Sequence, residues 1–145
     1  MKTNRGISRE KAMTILYQIF LYEKNKINYT VSEVINEFLD DLDVEERKKI
    51  DIDFLNELVN SVLSNIKEID NNINKYLENW TLERLGLTDQ AILRMGIYEL
   101  VYTDTPEVVA INEAVELAKE YSDEKVKNMI NAVLDKIYHG DNKDE

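Results

Sequence analysis

Helix-breaking residues are scarce in this sequence, whose 145 residues include four glycines and one proline. Between the turn signals, apolar residues recur three and four positions apart, the spacing that lines one side of an α-helix, and no segment keeps the two-residue alternation of a half-buried strand. The first such segment carries Ala12, Ile15, Leu16 and Ile19. We therefore predict an all-α protein.

Local signals predict where several helices begin and break. We expect Ser8 to cap the first helix and Thr88 to cap a later one, since their hydroxyls accept bonds from first-turn amides. The helix after Thr88 is apolar nearly all round and should be central, and Gly96 within it predicts close approach of a neighbouring backbone. Segment 70–74 holds three asparagines and one aspartate, so we expect a break there.

Composition excludes several classes of protein. The absence of cysteine rules out a disulfide framework and a thiolate metal site. No apolar run is long enough for a secretory signal or a membrane span. We expect a cytoplasmic protein that does not associate with membranes.

Charge is distributed unevenly along the sequence. The net charge is −11, from 18 basic and 29 acidic residues, which argues against nucleic-acid binding by the molecule as a whole. Residues 1–26, however, contain six basic and two acidic residues. Four of these basic residues lie within ten positions, namely Lys2, Arg5, Arg9 and Lys11. They form either a site that binds nucleic-acid phosphates or ordinary surface charge.

No pattern in the sequence indicates an enzyme. His139 is the single histidine, and the four glycines are isolated from one another, so neither a histidine metal site nor a phosphate-binding loop is predicted. Acidic residues are too abundant for any pair to stand out as a catalytic acid and base. We expect no catalytic residue, metal or cofactor.

The carboxy-terminal half resembles a known family. The resemblance lies in the strings LGLTDQAILRMGIYEL at 85–100 and VAINEAVELAK at 109–119, with Pro106 between them. NAVLD at 131–135, REKA at 9–12 and LYQ at 16–18 extend it. These strings are similar to those of the NusB family of bacterial transcription antitermination factors.

The resemblance implies a fold and a domain organisation. NusB-like proteins are all-helical, with about seven helices in two three-helix lobes. Here the resemblance implies a single domain over residues 1–145. Its amino-terminal lobe would span about 1–79, its carboxy-terminal lobe about 80–139, and a polar tail 140–145.

The resemblance also implies a function. NusB-like proteins pair with NusE, a small-subunit ribosomal protein, and the pair holds the single-stranded boxA element of nascent ribosomal RNA within an RNA polymerase antitermination complex. Either a monomer or a homodimer fits the family. Two alternatives are a scaffold that binds only proteins and a NusB-like domain that assists ribosomal RNA processing or modification.

Site residues follow from the same resemblance, position by position. The family's RNA face joins the amino terminus to the beginning of the last helix, which here implies Lys2, Arg5, Arg9, Lys11, Tyr76, Lys125, Lys127, Asn128 and Met129. The contacts with NusE fall at Tyr17 and Asp89. The arginine-rich start usual in the family is thinner here, and Met129 stands where phenylalanine is common.

Overall fold

The computed structural model describes residues 2–143, and every regular element in this range is helical. The α-helices are α1 (Asn4–Lys24), α2 (Val31–Asp41), α3 (Val44–Lys48), α4 (Ile52–Ser64), α5 (Ile66–Tyr76), α6 (Leu87–Tyr102), α7 (Glu107–Tyr121) and α8 (Glu124–Lys143). A 3-10 turn at Leu82–Arg84 precedes α6. The predicted all-α class is confirmed, with eight α-helices in the described range where about seven were expected.

None of these helices is both long enough and apolar enough to cross a membrane.

Contacts between Cα atoms divide the chain into two units, one ending at Leu63 and the other beginning at Ser64. Helix α5 therefore groups with the later helices. The lobe boundary near residue 79, which the family resemblance implies, stays a prediction.

The first unit buries one side of α1. Ala12, Ile15, Leu16 and Ile19 are all fully buried, as the apolar spacing predicts. The core also takes in side chains from α2 and α4, namely Val34, Ile35, Leu39, Leu55, Leu58, Val59 and Val62.

The expected cap at Ser8 is wrong, because α1 begins one turn earlier. Thr3 is the N-cap, and its Oγ1 accepts a hydrogen bond from the Gly6 amide at 2.9 Å. Ser8 lies inside the helix and is fully buried. Its hydroxyl donates to the Asn4 carbonyl oxygen at 2.6 Å and accepts from the Asp51 amide at 2.8 Å, which ties α1 to the residue preceding α4.

The second unit is built around α6. Every residue from Gln90 to Glu99 is buried, as its nearly continuous apolar surface predicts. Helices α5, α7 and α8 all pack against it. A Cβ atom on Gly96 would lie 3.1 Å from Leu134 Cδ1 and 3.2 Å from Ala114 Cβ, so the close approach at this glycine comes from side chains of α8 and α7.

The expected break at 70–74 is also wrong. Helix α5 runs through this segment without interruption, and the break falls at Asn65. Ile69 and Ile73 are fully buried, and Asp70 binds the guanidinium of Arg94 through two bonds of 2.8 and 3.0 Å. These tertiary contacts outweigh the weak local preference of asparagine and aspartate for non-helical backbone.

Two element boundaries differ from the sequence prediction. Gly86, not Thr88, is the N-cap of α6, and the Gln90 amide bonds its carbonyl oxygen at 2.9 Å. The predicted polar tail begins at residue 140, yet α8 continues to Lys143. The last two residues of that tail lie outside the described residues.

We expect Asp70→Ala to lower the free energy of unfolding by about 2–3 kcal/mol, because it breaks a largely buried ion pair. The substitution leaves the Arg94 guanidinium, which is 9% exposed, without its paired carboxylate. The expected loss is smaller than for a fully buried pair because Asp70 is itself 26% exposed. Urea denaturation measures the change.

Asp40→Ala is the matched control. Asp40 also pairs with an arginine, Arg47 at 3.2 Å, but its side chain is 73% exposed. Its removal should change the free energy of unfolding by no more than about 0.5 kcal/mol. Equal losses in the two variants would contradict a structural role for the Asp70–Arg94 pair.

Candidate nucleic-acid interface

The amino end of α1 presents arginines on one face of a helix. Because the helix begins at Asn4, Arg5 and Arg9 lie one turn apart. Both guanidinium groups lie over the ring of Phe54 on α4, at 4.6 and 5.2 Å from its centroid. Together with the bond between Ser8 and the Asp51 amide, this stacking holds the beginning of α1 against the beginning of α4.

The four predicted amino-terminal cations differ in their access to solvent. Arg5 and Lys2 are exposed, Lys11 is half-buried, and Arg9 is only 4% exposed. Lys2 forms an ion pair with Glu10. Arg5 is therefore the predicted arginine with the most open position, whereas Arg9 mainly packs α1 on α4.

The first turns of α8 carry the second predicted group. Asp123 caps this helix, since its carboxylate accepts a hydrogen bond from the Val126 amide at 2.8 Å. Lys125 and Asn128 are exposed, and Lys127 and Met129 are half-buried. The carboxylate of Asp123, at the start of α8, is thus bonded to the helix backbone.

Trp80 lies beside this group, although sequence reasoning did not select it. It follows α5 and precedes the 3-10 turn, and its side chain is 40% exposed. The Lys125 ammonium lies 5.5 Å from its ring centroid. A signal was present in the sequence, since the only tryptophan stands in the polar string LENWTLER, outside the apolar stripes.

Tyr76 lies elsewhere on the second unit. Its hydroxyl packs against Gly140, where an added Cβ would be only 2.6 Å from Tyr76 Oη. Gly140 follows Lys125 by fifteen residues of α8, which corresponds to about 22 Å along the helix. The structure therefore does not bring Tyr76 to the group at the start of α8.

The two predicted partner-binding residues have different surroundings. Tyr17 lies on α1 with its side chain 40% exposed. Asp89 lies half-buried in the first turn of α6, where a carboxylate is favoured by the helix dipole, and it accepts a hydrogen bond from the Ser122 hydroxyl. Asp89 therefore also joins α6 to the turn between α7 and α8.

Among residues 2–140, whose side chains the structure describes, no group of three histidine or acidic side chains is placed to hold a metal ion. His139 is exposed and lies 3.2 Å from the carboxylate of Asp135, one turn earlier on α8.

Comparison with known proteins identifies the family. The model of the NusB family matches residues 7–139. The chain belongs to the NusB family. It is 40% identical to the transcription antitermination protein NusB of Clostridium tetani, over 92% of this chain and 96% of the relative. It is 39% identical to that of Ligilactobacillus salivarius, over 91% and 98%.

Solved structures agree with this assignment. The fold matches T. maritima NusB with a TM-score of 0.75 and 30% identity, covering 96% of this chain and 93% of that one. It also matches a structure of the antitermination factors NusB and NusE in complex with double-stranded RNA, with a TM-score of 0.76 and 26% identity, over 97% and 99%. The predicted family is confirmed.

We expect Ser8→Ala to lower the free energy of unfolding by about 1–2 kcal/mol, because the part-buried Asp51 amide loses its acceptor. Thr14→Ala is the control, since Thr14 also donates to a carbonyl one turn back, that of Glu10, but is exposed. Its effect should stay within about 0.5 kcal/mol. If urea denaturation gave the same loss for both, the Ser8–Asp51 bond would not hold α1 in place.

Proposed function

We propose that this chain is a transcription antitermination factor that binds the boxA RNA of nascent ribosomal transcripts together with NusE, within an RNA polymerase antitermination complex. The observation that carries the proposal is 40% identity to a transcription antitermination protein NusB over nearly the full length of both chains. The similar fold of a NusB bound to NusE and RNA supports it.

Two patches supply the proposed RNA contacts. The amino patch consists of Lys2, Arg5, Arg9 and Lys11, and the α8 patch of Lys125, Lys127, Asn128 and Met129. Positive side chains in both favour phosphates. Arg5 and Lys125, which are exposed, suit direct contact best. Arg9 is only 4% exposed and contributes chiefly by packing on Phe54, which holds the start of α1 against α4. Tyr76 stays a predicted contact that lies away from the α8 patch.

Tyr17 and Asp89 are the proposed contacts with NusE. A phenol and a carboxylate suit a basic ribosomal protein, and the net charge of −11 attracts such a partner while repelling RNA from the acidic surface. Charge of this kind governs the rate and orientation of encounter more than the final affinity.

The proposed activity is binding without turnover, in the cytoplasm, by a monomer or a homodimer. A scaffold that binds only proteins is the second candidate, because the amino patch has few arginines and one of them is buried. The two proposals differ in one outcome, which is selective RNA binding in the presence of NusE.

Fluorescence anisotropy of labelled boxA RNA tests the proposal. The titration uses single-stranded boxA, a scrambled strand and boxA in a duplex, each with and without NusE. We expect NusE to strengthen binding of single-stranded boxA selectively, because unstacked bases can be read by side chains. With four phosphate contacts, the slope of log K against log salt should be about −2.8, or roughly a fiftyfold loss between about 50 and 200 mM.

Single substitutions locate the contacts. We expect Arg5→Ala and Lys127→Ala each to make the salt slope about 0.7 less steep and to weaken boxA and scrambled RNA alike, since phosphates carry no sequence information. Lys48→Ala is the control, because Lys48 is an exposed cation of α3 outside both patches. An equal effect at Lys48, or no preference for boxA with NusE, would contradict the proposal.

A further inference from the structure

Trp80 is an exposed aromatic side chain on an anchored loop. On one side of Trp80, Leu77 is the C-cap of α5, and its amide donates to the Ile73 carbonyl oxygen at 3.0 Å. On the other side, Leu82 is fully buried and its amide donates to Asn74 Oδ1 at 3.3 Å. The indole is 40% exposed even though the chain on either side is fixed. The backbone on both sides of Trp80 is thus held in place while its indole stays accessible to a ligand.

The side chains around the indole could bind the base and the phosphate of one nucleotide. The Lys125 ammonium lies 5.5 Å from the ring centroid, and Asn128 lies one turn further along the same face of α8. An aromatic face stacks on any unpaired base, an ammonium pairs with phosphate, and an amide can bond to a base edge. Both Lys125 and Asn128 are exposed, so an RNA strand can reach them.

We infer that Trp80 is a stacking platform for one unpaired base of the bound RNA. Lys125 leaves the indole face on binding and pairs with the phosphate of the nucleotide whose base replaces it. This inference rests on the proposed function and adds to it an aromatic contact at the start of α8. Tyr76, the aromatic that the family resemblance implies, has its hydroxyl packed against Gly140, at the far end of that helix.

Two variants of Trp80 test the inference in the anisotropy titration with NusE. Trp80→Leu should weaken boxA binding by about fivefold to a hundredfold, the range for loss of one stacked base. Trp80→Phe should keep most of the affinity, because a phenyl ring still stacks. Neither should change the salt slope, since no phosphate contact is removed, whereas Lys125→Ala should make it less steep.

Intrinsic fluorescence gives an independent readout, because Trp80 is the only tryptophan of the chain. At about 50 mM salt, where phosphate binding is strong, boxA RNA should quench this signal. RNA of the same length with abasic sites should bind through its phosphates and leave the signal nearly unchanged. Urea denaturation of each variant verifies that the fold is kept.

The outcomes separate the inference from the proposed function. If wild-type protein prefers boxA with NusE but Trp80→Leu binds as tightly, stacking at Trp80 is wrong and the proposed function stands. Equal quenching by boxA and abasic RNA would also overturn the inference. If wild-type protein shows no preference for boxA with NusE, the proposed function fails and the inference fails with it.

Discussion

The burial of ten consecutive residues of α6, Gln90 to Glu99, is the constraint on which the second unit depends. Polar side chains on such a helix must find partners, because an unpaired buried group is costly. Arg94 bonds Asp70 on α5, and Gln90 Nε2 donates to the Leu85 carbonyl oxygen at 2.8 Å. These bonds fix the segments on both sides of Trp80. The polar residues of the core thus determine where an exposed candidate RNA contact lies.

In the first unit, too, buried polar side chains fix the segment that carries an exposed candidate RNA contact. Ser8 and Arg9 are buried polar residues near the start of α1, and each contacts the beginning of α4, through the Asp51 amide and Phe54 respectively. Arg5 is exposed and lies in the first turn of α1, between the N-cap Thr3 and Ser8. An arginine on a packed helix loses less freedom when it binds phosphate than one on a disordered arm. A thin basic patch is therefore compatible with useful RNA affinity.

Local patterns predicted the fold well, and long-range contacts account for what they missed. The spacing of Ala12, Ile15, Leu16 and Ile19 predicts a buried helix face because periodicity is a local property. Segment 70–74 is helical because Asp70 bonds Arg94, twenty-four residues away. Ser8 lies inside α1, whose cap is Thr3, and its hydroxyl bonds the amide of Asp51, forty-three residues away. Trp80 and Lys125 are forty-five positions apart in the sequence, so no local pattern could predict that they lie side by side.

Photocrosslinking of boxA RNA containing 4-thiouridine to the complex of this chain with NusE tests the central claim most directly, since it reports which residues touch RNA. Mass spectrometry of the crosslinked peptides should place the sites in residues 2–11, at Trp80 and in residues 125–129. Unlabelled boxA should compete with the crosslinking, and scrambled RNA should not. Crosslinks confined to other surfaces, such as α2 and α3, would contradict the account.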